Sequence, residues 1–151
     1  MLWKTHLAFG FLFGLLSLPY VNENNIYIFF LFVLIGALLP DIDTPNSKVG
    51  SKVSPLSKII EKVFGHRGVV HTLWGMILFC GLFWYFINRP YGVALALGFF
   101  SHLLIDGFTK MGINFLHPVG KLHLSGFIET GTIGETIVLI VVIALSIILL
   151  I

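Results

Sequence analysis

Charge is what this chain has least of. Only 11% of its 151 residues are charged, 57% are hydrophobic, and the mean hydropathy is +0.99. A water-soluble domain of this size needs more charge to cover its surface, so the apolar excess must face lipid. Cysteine is nearly missing as well. Cys80 stands alone inside an apolar run, which excludes an intrachain disulfide and a zinc–thiolate cluster and leaves it the role of a small packing residue. No alternating barrel pattern occurs, so helices, which satisfy their own amides, are the expected way through lipid. No small-x-small cleavage site follows the apolar run from Lys4 to Tyr20, so that run is expected to be a retained span and not a secretory signal.

What is present is a series of apolar runs near residues 2–20, 26–39, 69–87, 91–108 and 133–151. They predict an all-α, polytopic membrane protein, one integral-membrane domain over 1–151 with about five transmembrane or membrane-embedded helices. The first two runs are short against the roughly 20 residues that cross a bilayer, so a helical hairpin dipping part-way remains open for them. If all five cross, the N-terminus and the loops 40–68 and 109–132 share one side. That side holds Lys4, Lys48, Lys52, Lys58, Lys62, Arg67, Lys110 and Lys121, against Arg89 on the other. The asymmetry places the basic side in the cytoplasm, at the inner membrane of the cell. Trp3 and Trp74 near one set of ends, and Tyr20, Tyr27, Trp84, Tyr85 and Tyr91 near the other, fit an interfacial belt.

The 40–68 loop contains a helix of its own. Ser54 reads as its N-cap and Pro55 as its first residue, with Leu56, Ile59, Ile60, Val63 and Phe64 at helical spacing and Lys58, Glu61 and Lys62 opposite. Such a segment would lie on the membrane surface against anionic lipid head groups, or pack as a lid over the spans.

All six histidines, and every carboxylate but Glu23, fall on the basic side of this topology. An ionised carboxylate at membrane depth costs about 2.5–3.5 kcal/mol unless it is paired or hydrated, so converging groups imply a shared counter-charge. His102 and Asp106, four apart in the fourth run, share one helical face. Asp41 and Asp43 follow Pro40, which favours an extended approach with both side chains pointing the same way; capping at the water line is the alternative. His66 is expected in the loop, Gly68 at a bend and His71 at the start of the third run. Arg67 could meet an anionic substrate group or snorkel. His6 sits at the base of the first run, and Glu135 opens the last as ligand, general base or helix-terminal charge. His117, His123 and Glu129 carry no assignment.

These residues resemble a known family. His66-Arg67-Gly68 with His71-Thr72, Ser101-His102-Leu103-Leu104-Ile105-Asp106, Thr109, Gly112, Pro118, Thr130-Gly131-Thr132 and Glu135 look like the YdjM-like membrane-bound metal-dependent hydrolases, as do His6 and Pro40-Asp41-Ile42-Asp43. The order of groups is more distantly similar to the zinc-dependent phospholipase C and S1-P1 nuclease superfamily, although the later His-x-x-x-Glu of those enzymes is missing. The resemblance implies metal-dependent hydrolysis.

The combined expectation is a hydrolase with two or three divalent ions held by His6, Asp41 or Asp43, His66, His71, His102 and Asp106, with Arg67 and Glu135 assisting. Such a donor set fits Zn best and permits Mn or Fe. The expected substrate is a phosphate ester on a membrane lipid or lipid-linked intermediate, with amide hydrolysis in a membrane peptide next. A non-enzymatic metal binder or transporter is the rival from another class, a scaffold stapled by polar pairs is a third, and nucleic acid is not an expected partner.

Overall fold

The computed structural model describes residues 1–21, 25–64, 68–87 and 89–151. Every apolar run forms a helix: α1 (Trp3–Ser17), α2 (Ile26–Leu38), α4 (Leu73–Phe86), α5 (Arg89–Gly107) and α6 (Ile133–Leu150), with α3 (Ser54–Phe64) in the long loop. Among the described residues two stretches are long and apolar enough to cross a bilayer, Ile26–Asp43 and Ile133–Leu150, while α4 is apolar but only 14 residues long. The first of them exceeds α2 because the chain continues into a 3-10 turn at Leu39–Asp43.

Helix α5 is the centre of the bundle. It packs against α1, α2 and α4, and α6 lies against α1. The α2–α5 seam is backbone on backbone: a Cβ at Gly36 would strike the Leu95 carbonyl oxygen, and one at Gly98 the Val33 carbonyl oxygen. Small residues at such a crossing supply the close packing that lipid, being as apolar as a core side chain, cannot drive. Phe29, Val33, Ala94, Leu95, Phe99 and Leu103 fill the space around it.

Three details of the loops bear on these expectations. Ser54 is already helical (φ −46°, ψ −42°), because a 3-10 turn at Gly50–Val53 feeds directly into α3, so it is not a cap in extended backbone. Leu56, Ile59 and Val63 of α3 are exposed while Ser57 is buried, so the apolar stripe faces outward. The fold is mostly helical, and the segment 109–132 is not plain loop: β1 (Ile113–Asn114) pairs antiparallel with β2 (His123–Leu124). This ribbon forms because Gly112 takes φ +64° beyond α5 and lays Ile113, Phe115 and Leu124 on Leu95, Phe99 and Leu103.

Candidate metal centre

Four segments meet at one end of the bundle. α1 delivers His6, the turn after α2 delivers Asp41 and Asp43, the 3-10 turn Val69–His71 delivers His71, and the last turns of α5 deliver His102 and Asp106. His6, Asp43, His71, His102 and Asp106 are buried, and the Asp41 side chain is 16% exposed.

The expectation that Asp41 and Asp43 point the same way is corrected. Pro40 sits in the first turn of a 3-10 segment, not an extended one, and residues two apart in such a turn diverge. Asp41 Oδ1 lies 4.0 Å from His102 Nε2, whereas Asp43 Oδ2 lies 2.9 Å from His71 Nδ1. Asp43 thereby pairs with the His71 imidazole.

That partnership fixes a tautomer. His71 donates its Nδ1–H to the Asp43 carboxylate, and His102 donates its Nδ1–H to the Ala37 carbonyl at 2.8 Å. In their neutral forms both rings turn an unprotonated Nε2 inward, and the two nitrogens are 3.3 Å apart. A proton on one ring would make this a hydrogen bond, and two lone pairs at that distance need a cation between them. Nitrogens bonded at about 2.0–2.1 Å to a tetrahedral zinc stand about 3.3–3.4 Å apart, so the spacing is that of two ligands on one ion. Ligating histidines typically donate the other ring N–H to a carboxylate or carbonyl, as both do here.

The remaining donors close around this pair. Asp106 Oδ2 is 3.7 Å from His102 Nε2, and Asp106 Oδ1 is 3.5 Å from His6 Nε2 and 2.6 Å from the Met1 ammonium. The His6 ring stacks on His102 with centroids 3.8 Å apart, and neither of its buried nitrogens has a hydrogen-bond partner among the described residues. Two donor triads result, His71–His102–Asp106 and His6–Asp41–His102, each with its ligand atoms within 4.8 Å of one another. They share His102, and Asp106 directs one carboxylate oxygen toward His102 and the other toward His6.

Glu135 belongs to neither triad. Its Oε1 accepts the Leu2 amide at 2.6 Å and the Thr5 hydroxyl at 2.7 Å, and its Oε2 accepts the Gly131 amide at 2.6 Å. It ties the start of α1 to the turn before α6. His66 and Arg67 lie outside the described residues. Glu129 is exposed and paired with Lys110 at 2.7 Å, whose ammonium holds its carboxyl below the usual range, while His123 Nδ1 lies 2.9 Å from the Asn114 side-chain oxygen. The local staples that position α5 and α4 were not anticipated: Thr109 Oγ1 donates to the Asp106 carbonyl and accepts from Gly112, and Thr72 caps α4 by accepting from Gly75.

A cleft of about 500 Å³ opens above this cluster, lined by Met1, Leu2, Trp3, Asp41, Lys48 and Thr130 among others. Residues from the N-terminus, the 40–68 loop and the 109–132 segment thus meet at one end of the molecule.

An apolar helical bundle with imidazoles and aspartates buried at one end defines a membrane protein with an internal histidine–carboxylate centre. The comparisons are more particular. The chain belongs to the YdjM inner membrane protein family, which matches residues 1–151, and it is accordingly an inner-membrane protein. It is 38% identical over 107 residues to "Uncharacterized protein YvsG" of Bacillus subtilis (strain 168), covering 70% of this chain and 67% of that one. It is 36% identical over 93 residues to "Inner membrane protein YdjM" of Escherichia coli (strain K12), covering 56% of this chain and 46% of the relative, so the match spans under half of that protein's length. No solved structure matches.

Proposed function

We propose that this protein is a membrane-embedded, metal-dependent hydrolase that cleaves a phosphate ester of a lipid or lipid-linked molecule at the cytoplasmic face of the inner membrane. The observation that carries the reading is the 3.3 Å approach of two imidazole Nε2 atoms whose Nδ1–H groups are both committed elsewhere. His71, His102 and Asp106, with Asp41 and His6 beside them, would hold the divalent ion, zinc by the mixture of imidazole and carboxylate and manganese or iron by the same set. Such an ion, when bound, supplies Lewis acidity toward a phosphoryl oxygen and lowers the pKa of a water molecule.

The chain's own residues do the rest. Asp43 and the Ala37 carbonyl hold the two imidazoles in the ligating tautomer. Asp41, the member of the cluster that opens to the cleft, orients a water molecule and takes its proton. All five apolar helices lie in the membrane, and the eight-to-one basic asymmetry turns the cleft to the cytoplasm. The outward apolar stripe of α3 rests on the leaflet, with Lys58 and Lys62 among anionic head groups. The burial of His6, His71, His102 and Asp106 favours a second reading, a metal-binding protein without catalysis.

Metal analysis of detergent-purified wild type, His102→Ala and His123→Ala, with cleavage of a chromogenic phosphodiester followed in parallel, separates these readings. Metal in wild type and His123→Ala but not His102→Ala, with turnover, supports the hydrolase. Metal without turnover of phosphodiester, native lipid or membrane peptide leaves the binding protein. Equal metal in wild type and His102→Ala removes both.

A further inference from the structure

We infer that the cleft above Asp41 is an amphiphile-binding site in which Lys48, assisted by Lys4, receives the phosphate of a membrane lipid while Leu2 and Met111 receive the start of its tail. The inference deepens the hydrolase reading and rests on it for the chemistry at Asp41.

Three observations lead there. The cleft is mixed in character. Asp41, Thr44, Asn46, Ser47, Lys48, Ser51 and Thr130 line it together with Leu2 and Met111, which are 49% and 65% exposed. A site for a fully water-soluble anion has no use for apolar side chains at its mouth, and a site for an acyl chain alone has no use for a lysine.

The cations are arranged and unneutralised. Lys4 Nζ and Lys48 Nζ each lie 5.9 Å from the Trp3 ring centroid, so one aromatic ring gathers an ammonium from α1 and another from the loop. Neither lysine has a carboxylate partner among the described residues, in contrast to Lys110 with Glu129.

The loop bearing Lys48 is also tied to the centre. Ser47 Oγ donates to the Asp41 carbonyl at 2.7 Å and accepts from the Gly50 amide at 2.8 Å, which folds residues 41–50 back on themselves. Gly50 packs so closely on the Thr44 carbonyl that no side chain fits there. The position of Lys48 is therefore coupled to that of Asp41, and a phosphate held by the lysine is presented to the carboxylate-bearing floor.

Trp3 reports occupancy if Trp74→Phe and Trp84→Phe leave it as the sole tryptophan. The full-length, metal-loaded protein is placed in phosphatidylcholine nanodiscs, then in discs with increasing phosphatidic acid, and inorganic phosphate is titrated in a separate arm. The expected result is a saturable change in Trp3 emission with phosphatidic acid, weakened about tenfold by Lys48→Ala, restored by Lys48→Arg and unchanged by Lys58→Ala. No response to phosphatidic acid, a response to inorganic phosphate alone, or equal affinity in Lys48→Ala overturns the assignment. Metal content of the same samples separates the two readings. Protein that retains no metal after loading but still shows the Lys48-dependent response sinks the hydrolase and keeps the cleft, and metal-replete protein without the response sinks the cleft and leaves the hydrolase to the turnover assay.

Discussion

Helices α5 and α6 are 19 and 18 residues long and both lie in apolar runs, yet they occupy opposite environments. α6 is built almost wholly from Ile, Val and Leu, and of its residues Glu135, Val142 and Ser146 are buried. α5 is interrupted by Gly92, Ala94, Gly98, Ser101, His102 and Asp106, and each of these is buried. Of these two, the more hydrophobic helix lies outside, and the helix with the polar and small residues is the core. In water the ranking would be reversed, so the inversion is the structural signature of lipid as solvent. It also teaches where chemistry resides: the helix that gives up hydrophobicity does so to carry the seam and the site.

The comparison breaks most severely at the seam. Gly98→Val drives a side chain into the Val33 carbonyl and should cost about 3 kcal/mol or more, seen as loss of monodisperse protein in detergent or a large fall in thermal midpoint. Ile147→Ala in α6, at a position 52% exposed, should stay within about 0.5 kcal/mol in the same assay. Equal effects would mean that α6 is as much core as α5.

Next in size is the link between α6 and the rest. Glu135→Ala strips the acceptor from two amides and a hydroxyl and should destabilise by about 2–3 kcal/mol while metal content holds, with Glu135→Gln recovering part of the loss. A drop in metal content at unchanged stability would move Glu135 from a tie between helices to the centre.

Within the centre itself, Asp43→Asn should weaken metal affinity by about 10–100-fold in a chelator competition, since it frees the His71 tautomer without removing a ligand atom. Loss of all metal would instead make Asp43 a ligand. The smallest effect belongs to the surface pair. Lys110→Ala should let the Glu129 carboxyl titrate upward toward its ordinary range, followed by NMR, with no measurable change in thermal midpoint.

Apolar length and basic asymmetry made the helices and the shared end of the loops legible before any coordinates, because both follow from the solvent and need no tertiary knowledge. His102 and Asp106 were legible for a similar reason, since helical spacing alone sets their common face. Asp41 and Asp43 were misjudged because a 3-10 continuation of α2 past Pro40 depends on how the turn packs beneath α5, which no local pattern records. The β1–β2 ribbon was hidden by its length: two residues a side carry no periodicity. The division of labour between ligand and orienting partner, His71 against Asp43, is a matter of which nitrogen faces which oxygen and has no sequence signal. The hydroxyl staples at Thr72 and Thr109 had one, a threonine followed three residues later by glycine, Thr72–Gly75 and Thr109–Gly112, at the start of α4 and the end of α5.

The cluster draws its donors from residue 6 at one extreme and residue 106 at the other, and none from α6. During synthesis this imposes an order. No partial chain ending before α5 can form either triad, so His6 and Asp41, made early, lack their partners until His102 and Asp106 follow. Once α5 is made the set is complete, before α6 follows in the chain. Loading of a cation at that moment would lock the first four apolar helices together, and α6 would then dock onto a finished bundle through Glu135.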